Sequence, residues 1–274
     1  MKVAILFLAL LAIPNARAAF PPATDNIADC ENRWFLGQNF KDPDVRVLGF
    51  AYIDPEAGFT FEAHGDVALD AKGKLVRKPD QLEGKARLIV RVGQNVNVAC
   101  LDGETVTWLG LPGQSESLKF YEDKRDPGAH AASWGSHLNA IGAYSEALGH
   151  LEPARQSGYK SDLLWFELGF AYNATGQLDK AIEVLEPAVA ASPNDVQMIG
   201  ELAYSHLHKR EFKLAIELYT RALSGFRDGD TNRRVEFAFN LSQAYQANGD
   251  GKAAAEWMQK ARDWHTQEEA AKSK

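Results

Sequence analysis

Asp54, Glu56, Glu62 and His64 fall within eleven residues of one another. Three carboxylates beside an imidazole are groups able to hold or pass a proton. The surrounding stretch runs Gly49-Phe50-Ala51-Tyr52-Ile53-Asp54-Pro55-Glu56-Ala57-Gly58-Phe59-Thr60-Phe61-Glu62. Asp-Pro-Glu-Ala-Gly between two apolar runs is turn chemistry, so the plainer reading is a hairpin with acidic residues in its loop. Trp34, Phe35, Tyr52 and Trp108 are rings that could stack on a sugar, if they are exposed. His206 and His208, two apart on a helix, point about 200° apart and cannot share a metal. His130 and His137 are two turns apart, too far for an ordinary ligand pair. There is no GxSxG, HExxH, Walker loop or GxGxxG after a strand. No catalytic, cofactor or metal site is expected.

The ends and the cysteines set the compartment. Lys2, an apolar run over residues 3–13, Pro14 and Ala16-Arg17-Ala18 make the pattern of a secretory signal peptide, residues 1–18. Eleven apolar residues are too few to span about 30 Å of hydrocarbon. No other segment reads as transmembrane. Export to the periplasm or beyond follows. In an oxidising compartment the only two cysteines, Cys30 and Cys100, are most simply one disulfide. A free thiol or a metal ligand is the alternative. The formal charge of −7 becomes −9 once Lys2 and Arg17 leave with the leader. Without a basic stripe, neither nucleic acid nor an anionic membrane surface is an expected target.

Two periods divide the rest. Residues 19–110 read as a β-rich domain, with strands expected over 45–53, 58–64, 66–70, 74–77, 86–92, 95–101 and 105–109. Seven short strands imply an antiparallel sheet, as a small sandwich or open barrel. A Cys30–Cys100 bridge would pin the irregular N-terminal lead onto it. Residues 111–127 hold Leu111-Pro112-Gly113 and Asp126-Pro127-Gly128 and read as a linker. From there to 267 the period is helical, and 268–274 is a polar tail.

The helical half repeats every 34 residues. Its clearest unit, 162–195, reads Trp165-x-x-Leu168-Gly169-x-x-Tyr172, then Ala181, Leu185, Ala188 and Pro193. The spacing has a physical cause. Trp165, Leu168 and Tyr172 share one helix face, while Gly169, Ala181 and Ala188 let two helices approach. Gly176 suits the turn, and Pro193 ends the second helix. This resembles the tetratricopeptide-repeat (TPR) signature, with Leu185 in place of the usual Phe. Degenerate units flank it. One carries Trp134-Gly135, Leu138, Ala147, Leu151 and Ala154. The next carries Leu202-Ala203, Phe212, Ala215, Tyr219 and Ala222. After a polar insert around 228–232 the last carries Leu241-Ser242, Tyr245, Gly249, Ala254, Met258 and Ala261. The whole reads as α+β: a β-domain followed by a TPR solenoid of about four helix pairs over 128–267.

The resemblance implies that the first helices line a concave groove for a polypeptide partner. Its groove positions fall here on Asn139, Phe166, Phe170, Asn173, Tyr204, His208, Phe239, Gln243 and Gln246. Aromatics suit apolar anchors, and amides suit an extended peptide backbone. The competing reading packs these rings between units. The positions lack the lysines and arginines by which some TPR proteins clamp a C-terminal carboxylate. The expected function is an exported adaptor or scaffold that binds protein. A carbohydrate-binding β-domain with the repeats for assembly is the second reading. An enzyme with an unfamiliar site at Asp54 and His64 is the third.

Overall fold

The computed structural model describes residues 19–79, 88–120, 126–226 and 232–272. The expected leader, the first two residues of the 86–92 strand, most of the 228–232 insert and the last two residues of the tail lie outside them.

Seven strands form one sheet: β1 (Asp25–Asn26), β2 (Arg33–Gln38), β3 (Val45–Asp54), β4 (Gly58–Leu69), β5 (Leu75–Arg77), β6 (Leu88–Arg91) and β7 (Asn97–Cys100). All pairings between strands are antiparallel, in the order β1-β7-β2-β3-β4-β5, with β6 also on β4. It is a single open sheet, and no second sheet faces it among the described residues. The β3–β4 hairpin forms where turn chemistry places it. Asp54 Oδ1 accepts from the Glu56 and Ala57 amides at 2.8 Å each, and Gly58 takes φ +86°. The expected strands over 58–64 and 66–70 are one long strand, β4.

Two further expected elements take another form. Residues 105–109 are not a strand; Gly103–Trp108 forms a short helix, α1. Asp102 caps it, its side chain accepting from the Thr105 amide at 2.7 Å, and this outweighs the β-branched Thr105, Val106 and Thr107. Residues 111–118 do not stand off as a linker: Leu111 and Leu118 pack with Val106 onto the outer face of the sheet. There they cover Trp34, Leu36, Leu48, Phe50 and Tyr52.

The other face carries Phe35, Ala51, Ile53 and Phe59, which share one continuous core with the helices. Both faces are therefore apolar, which is why β3 reads as an almost unbroken hydrophobic run. Gly49 opposes Phe35 in register, and a Cβ there would sit 2.5 Å from the phenyl ring. Cys30, in a 3₁₀ turn (Ile27–Cys30), is disulfide-bonded to Cys100, Cα–Cα 5.4 Å. The bridge ties the N-terminal lead to β7.

Among the described residues eight helices follow as four pairs: α2 (Pro127–Ala140) with α3 (Tyr144–Gln156), α4 (Asp162–Ala174) with α5 (Leu178–Ala191), α6 (Val196–His208) with α7 (Phe212–Gly225), and α8 (Asn232–Ala247) with α9 (Gly251–Lys272). The second helices of the first three pairs start at Tyr144, Leu178 and Phe212, 34 residues apart. Close approach explains the glycines. A Cβ on Gly135 would lie 2.4 Å from Leu151, and on Gly169 2.5 Å from Leu185. In the third pair Ala203 and Tyr219 take the equivalent places, both fully buried. Each turn between paired helices uses a left-handed residue: Gly142, Gly176, Arg210 and Gly249. Ser161, Asp195 and Asp126 cap α4, α6 and α2.

The sheet and the first pair are locked together. Trp134 Nε1 donates to Glu31 Oε1 at 3.1 Å, and His150 Nε2 meets Glu31 Oε2 at 2.9 Å. The Asn95 amide donates to the Ile141 carbonyl at 2.7 Å.

Candidate functional site

The stacked first helices α4 and α6, with the start of α8, present a strip of aromatic rings. Phe166 and Phe170 stack at 6.2 Å, one helical turn apart on α4. Tyr144 meets Phe170 edge-on at 5.8 Å. On α6, Tyr204 lies against His208 at 4.1 Å. Phe166, Phe170 and Tyr204 are half-buried, and His208 is exposed.

Arg233, in the first turn of α8, reaches into this strip. Its guanidinium lies 5.8 Å from the ring centres of both Phe166 and Phe170. It donates to Glu201 Oε1 at 2.5 Å, Gln197 Oε1 at 2.8 Å and Glu236 Oε2 at 3.2 Å. The strip therefore does contain an arginine, contrary to the sequence expectation. The polar insert shifts α8 out of the 34-residue phase, so no groove position falls on Arg233. Its charge is already matched by Glu201 and Glu236, so it offers no open clamp for a carboxylate. Burial raises the Glu201 carboxyl above the usual glutamate value, against the lowering effect of Arg233.

Asn139 and Asn173 do not face outward. They are 5% and 6% exposed and staple consecutive units. Asn139 Nδ2 donates to the Glu167 carbonyl and to its Oε2, at 3.1 and 2.7 Å. Asn173 Nδ2 repeats this on Glu201, at 2.9 and 3.0 Å. Ser205 Oγ donates to Asn173 Oδ1 at 2.6 Å. A buried amide must spend its donors inside, so neither is open to a peptide backbone. The recurrence of Asn with Glu 28 residues later was the available signal.

The remaining expected residues lie on the last pair. Phe239 lines a recess of about 750 Å³ between α8 and α9, and Gln243 and Gln246 line a second of about 510 Å³. The expected stripe thus divides three ways: a buried staple, an aromatic strip and an end recess.

The β half gives different answers. Trp34, Phe35 and Tyr52 are buried, Trp34 and Phe35 on opposite faces of the sheet, so no sugar-stacking surface is formed with Trp108, which alone is exposed. Asp54 is occupied in its turn. Glu62 is buried, accepting from Ser115 Oγ at 2.8 Å, with His64 Nε2 3.3 Å from the same oxygen. The Ser115–Glu62 hydrogen bond ties residues 111–118 to β4. Among the described residues no group of three or more His, Cys, Asp and Glu is arranged to hold a metal. None of the described helices is long and apolar enough to cross a membrane.

A tetratricopeptide repeat model matches residues 162–205, and a second matches 201–268. The C-terminal half of this chain is a tetratricopeptide-repeat array. No curated protein matches the chain in sequence. Among solved structures it is similar to MamA from Desulfovibrio magneticus RS-1, with 22% identity and TM-score 0.45 over 53% of this chain and 78% of that one. It is also similar to YrrB, described as a TPR protein with an unusual peptide-binding site, with 19% identity and TM-score 0.44 over 54% of this chain and 75% of that one.

Proposed function

We propose that this protein is an exported adaptor that holds a segment of another polypeptide against the strip of Phe166, Phe170, Tyr204 and His208. The observation that carries the reading is the half-buried state of Phe166, Phe170 and Tyr204, the first two beside an arginine whose charge is already matched. Such rings supply large contact area at small ordering cost, and hot spots are enriched in them. With no open cation in the strip, the reading favours an internal apolar segment over a chain terminus. Export rests on the leader pattern of residues 1–18 and agrees with the disulfide of Cys30 and Cys100.

The test has two arms. Tagged protein captures its partner from the exported fraction, and the identified partner is then titrated against Phe170→Ala and Tyr204→Ala. Each variant is expected to weaken binding by about tenfold or more. Unchanged affinity in both would overturn the groove. Mass spectrometry of the exported chain is expected to find Ala19 as its first residue, and a retained Met1 would overturn the processing.

A further inference from the structure

Stacking in this array follows one rule. The groove between the helices of each pair receives the first helix of the next: α6 lies on α4 and α5, and α8 on α6 and α7. The last pair breaks the sequence. Among the described residues nothing is stacked on the outer side of α8 and α9, where the recess of about 750 Å³ opens. Its floor is apolar: Val235, Phe239, Met258 and Ala261. Phe239 is 44% exposed. An uncovered face of a repeat array is stable in water when polar, and this floor is apolar.

Glu236 of α8 and Arg262, His265 and Glu268 of α9 also line the recess, and among the described residues Arg262 and Glu268 have no ion pair. Glu268 is only 8% exposed, and its Oε1 is buried without a hydrogen-bond partner. A buried carboxylate oxygen left unpaired is costly, so it marks a place for a donor. Arg262 is exposed and has no ion pair among the described residues. The array holds its own precedent: incoming α8 brings Arg233 in its first turn onto the buried Glu201 of α6. A helix seated as the array seats its own first helices, antiparallel to the second helix before it, would run against α9. Its first turns would meet Glu268, and a later turn would meet Arg262.

We propose that the open end between α8 and α9 is the docking site for one amphipathic helix of a partner polypeptide, with a basic residue in its first turns and an acidic residue about two turns on. Head-to-tail stacking of a second copy does not supply it, because the first helix pair is packed against the sheet in a shared core. The site adjoins the aromatic strip of α4 and α6 through Glu236, which lines the recess and accepts from Arg233, and shares none of the strip's rings.

Two synthetic helical peptides with identical leucine spacing test this on the full chain. One carries Lys early and Glu two turns later, and the other reverses the charges, so composition is constant. The first is expected to bind at least about tenfold more tightly by fluorescence anisotropy. Glu268→Lys combined with Arg262→Glu is expected to invert that preference. Phe239→Asp is expected to abolish binding of both, while Phe170→Ala leaves it unchanged. If Phe239→Asp unfolds by circular dichroism, the charge-swapped chain still decides. Equal affinity for the two peptides, an uninverted preference or loss of binding in Phe170→Ala each overturns the proposal. So does a chain that dimerises in solution through this end, with Phe239→Asp returning it to monomer.

Discussion

Arg233 of α8 places Nη2 2.5 Å from Oε1 of Glu201 on α6, and Asn173 of α4 donates to the other oxygen of that carboxylate at 3.0 Å. One buried anion thus ties three consecutive first helices. Removing a single partner of such a pair strands a charge away from water. Arg233→Gln is expected to lower stability by about 3 kcal/mol in urea unfolding. Adding Glu201→Gln should recover much of that loss. A double variant no better than the single one would mean that the pair is not what joins the units.

Gly169 sets the spacing of its helix pair, since a Cβ there meets Leu185 at 2.5 Å. Gly169→Val is expected to cost about 2–3 kcal/mol through overpacking. Leu185→Ala in the same chain should offset part of it by vacating the volume. Thermal unfolding of the two singles and the double reads this as a non-additive cycle.

The sheet-to-array contact is expected to respond to pH through Glu146. Burial, and then the carboxyl of Asp29, raise Glu146 above the usual glutamate value of 4.5. A raised carboxyl binds its proton more tightly in the folded state. Its contribution is therefore complete below the unfolded value and is lost as pH rises through the folded one. Facing groups include Asp29 from the 3₁₀ turn and the Glu31–His150 pair. As pH rises above the usual glutamate value the melting temperature of Glu146→Gln should gain on that of the native chain. A constant difference across that range would remove Glu146 as the source.

The Cys30–Cys100 bridge closes a loop of 70 residues across the lead and the sheet. On the chain-entropy model it contributes about 4 kcal/mol. Cys30→Ala with Cys100→Ala should lower the urea midpoint accordingly. Hydrogen exchange should quicken first in β1, β7 and the 3₁₀ turn, with α4 to α7 protected.

The repeats were legible because their constraint is local. Small residues recur in phase, as with Ala147, Ala181 and Ala215, and all three are fully buried. β2 was not legible, because Trp34 and Phe35 are buried on opposite faces and leave no alternation to read. Of the candidate site, Phe166 stacks with Phe170 on α4 and Tyr204 lies against His208 on α6, four positions that the repeat resemblance assigns to the groove. Asn139 and Asn173 occupy that helix side too, yet their partners are 28 residues away and appear only when helices stack. Arg233 escaped because an insertion dephased its helix.

The core shared by the sheet and the first helix pair changes what can be cut. In a repeat array the end units need something to screen their apolar flank from water. Here the sheet takes that task at the N-terminal end, with Phe35, Ile53 and Phe59 closing over the side that a preceding repeat would occupy. A fragment beginning at Pro127 would bare that flank and aggregate, and the sheet alone would bare the matching surface. The shared core should make the two halves melt as one cooperative unit, so partner capture calls for the intact polypeptide.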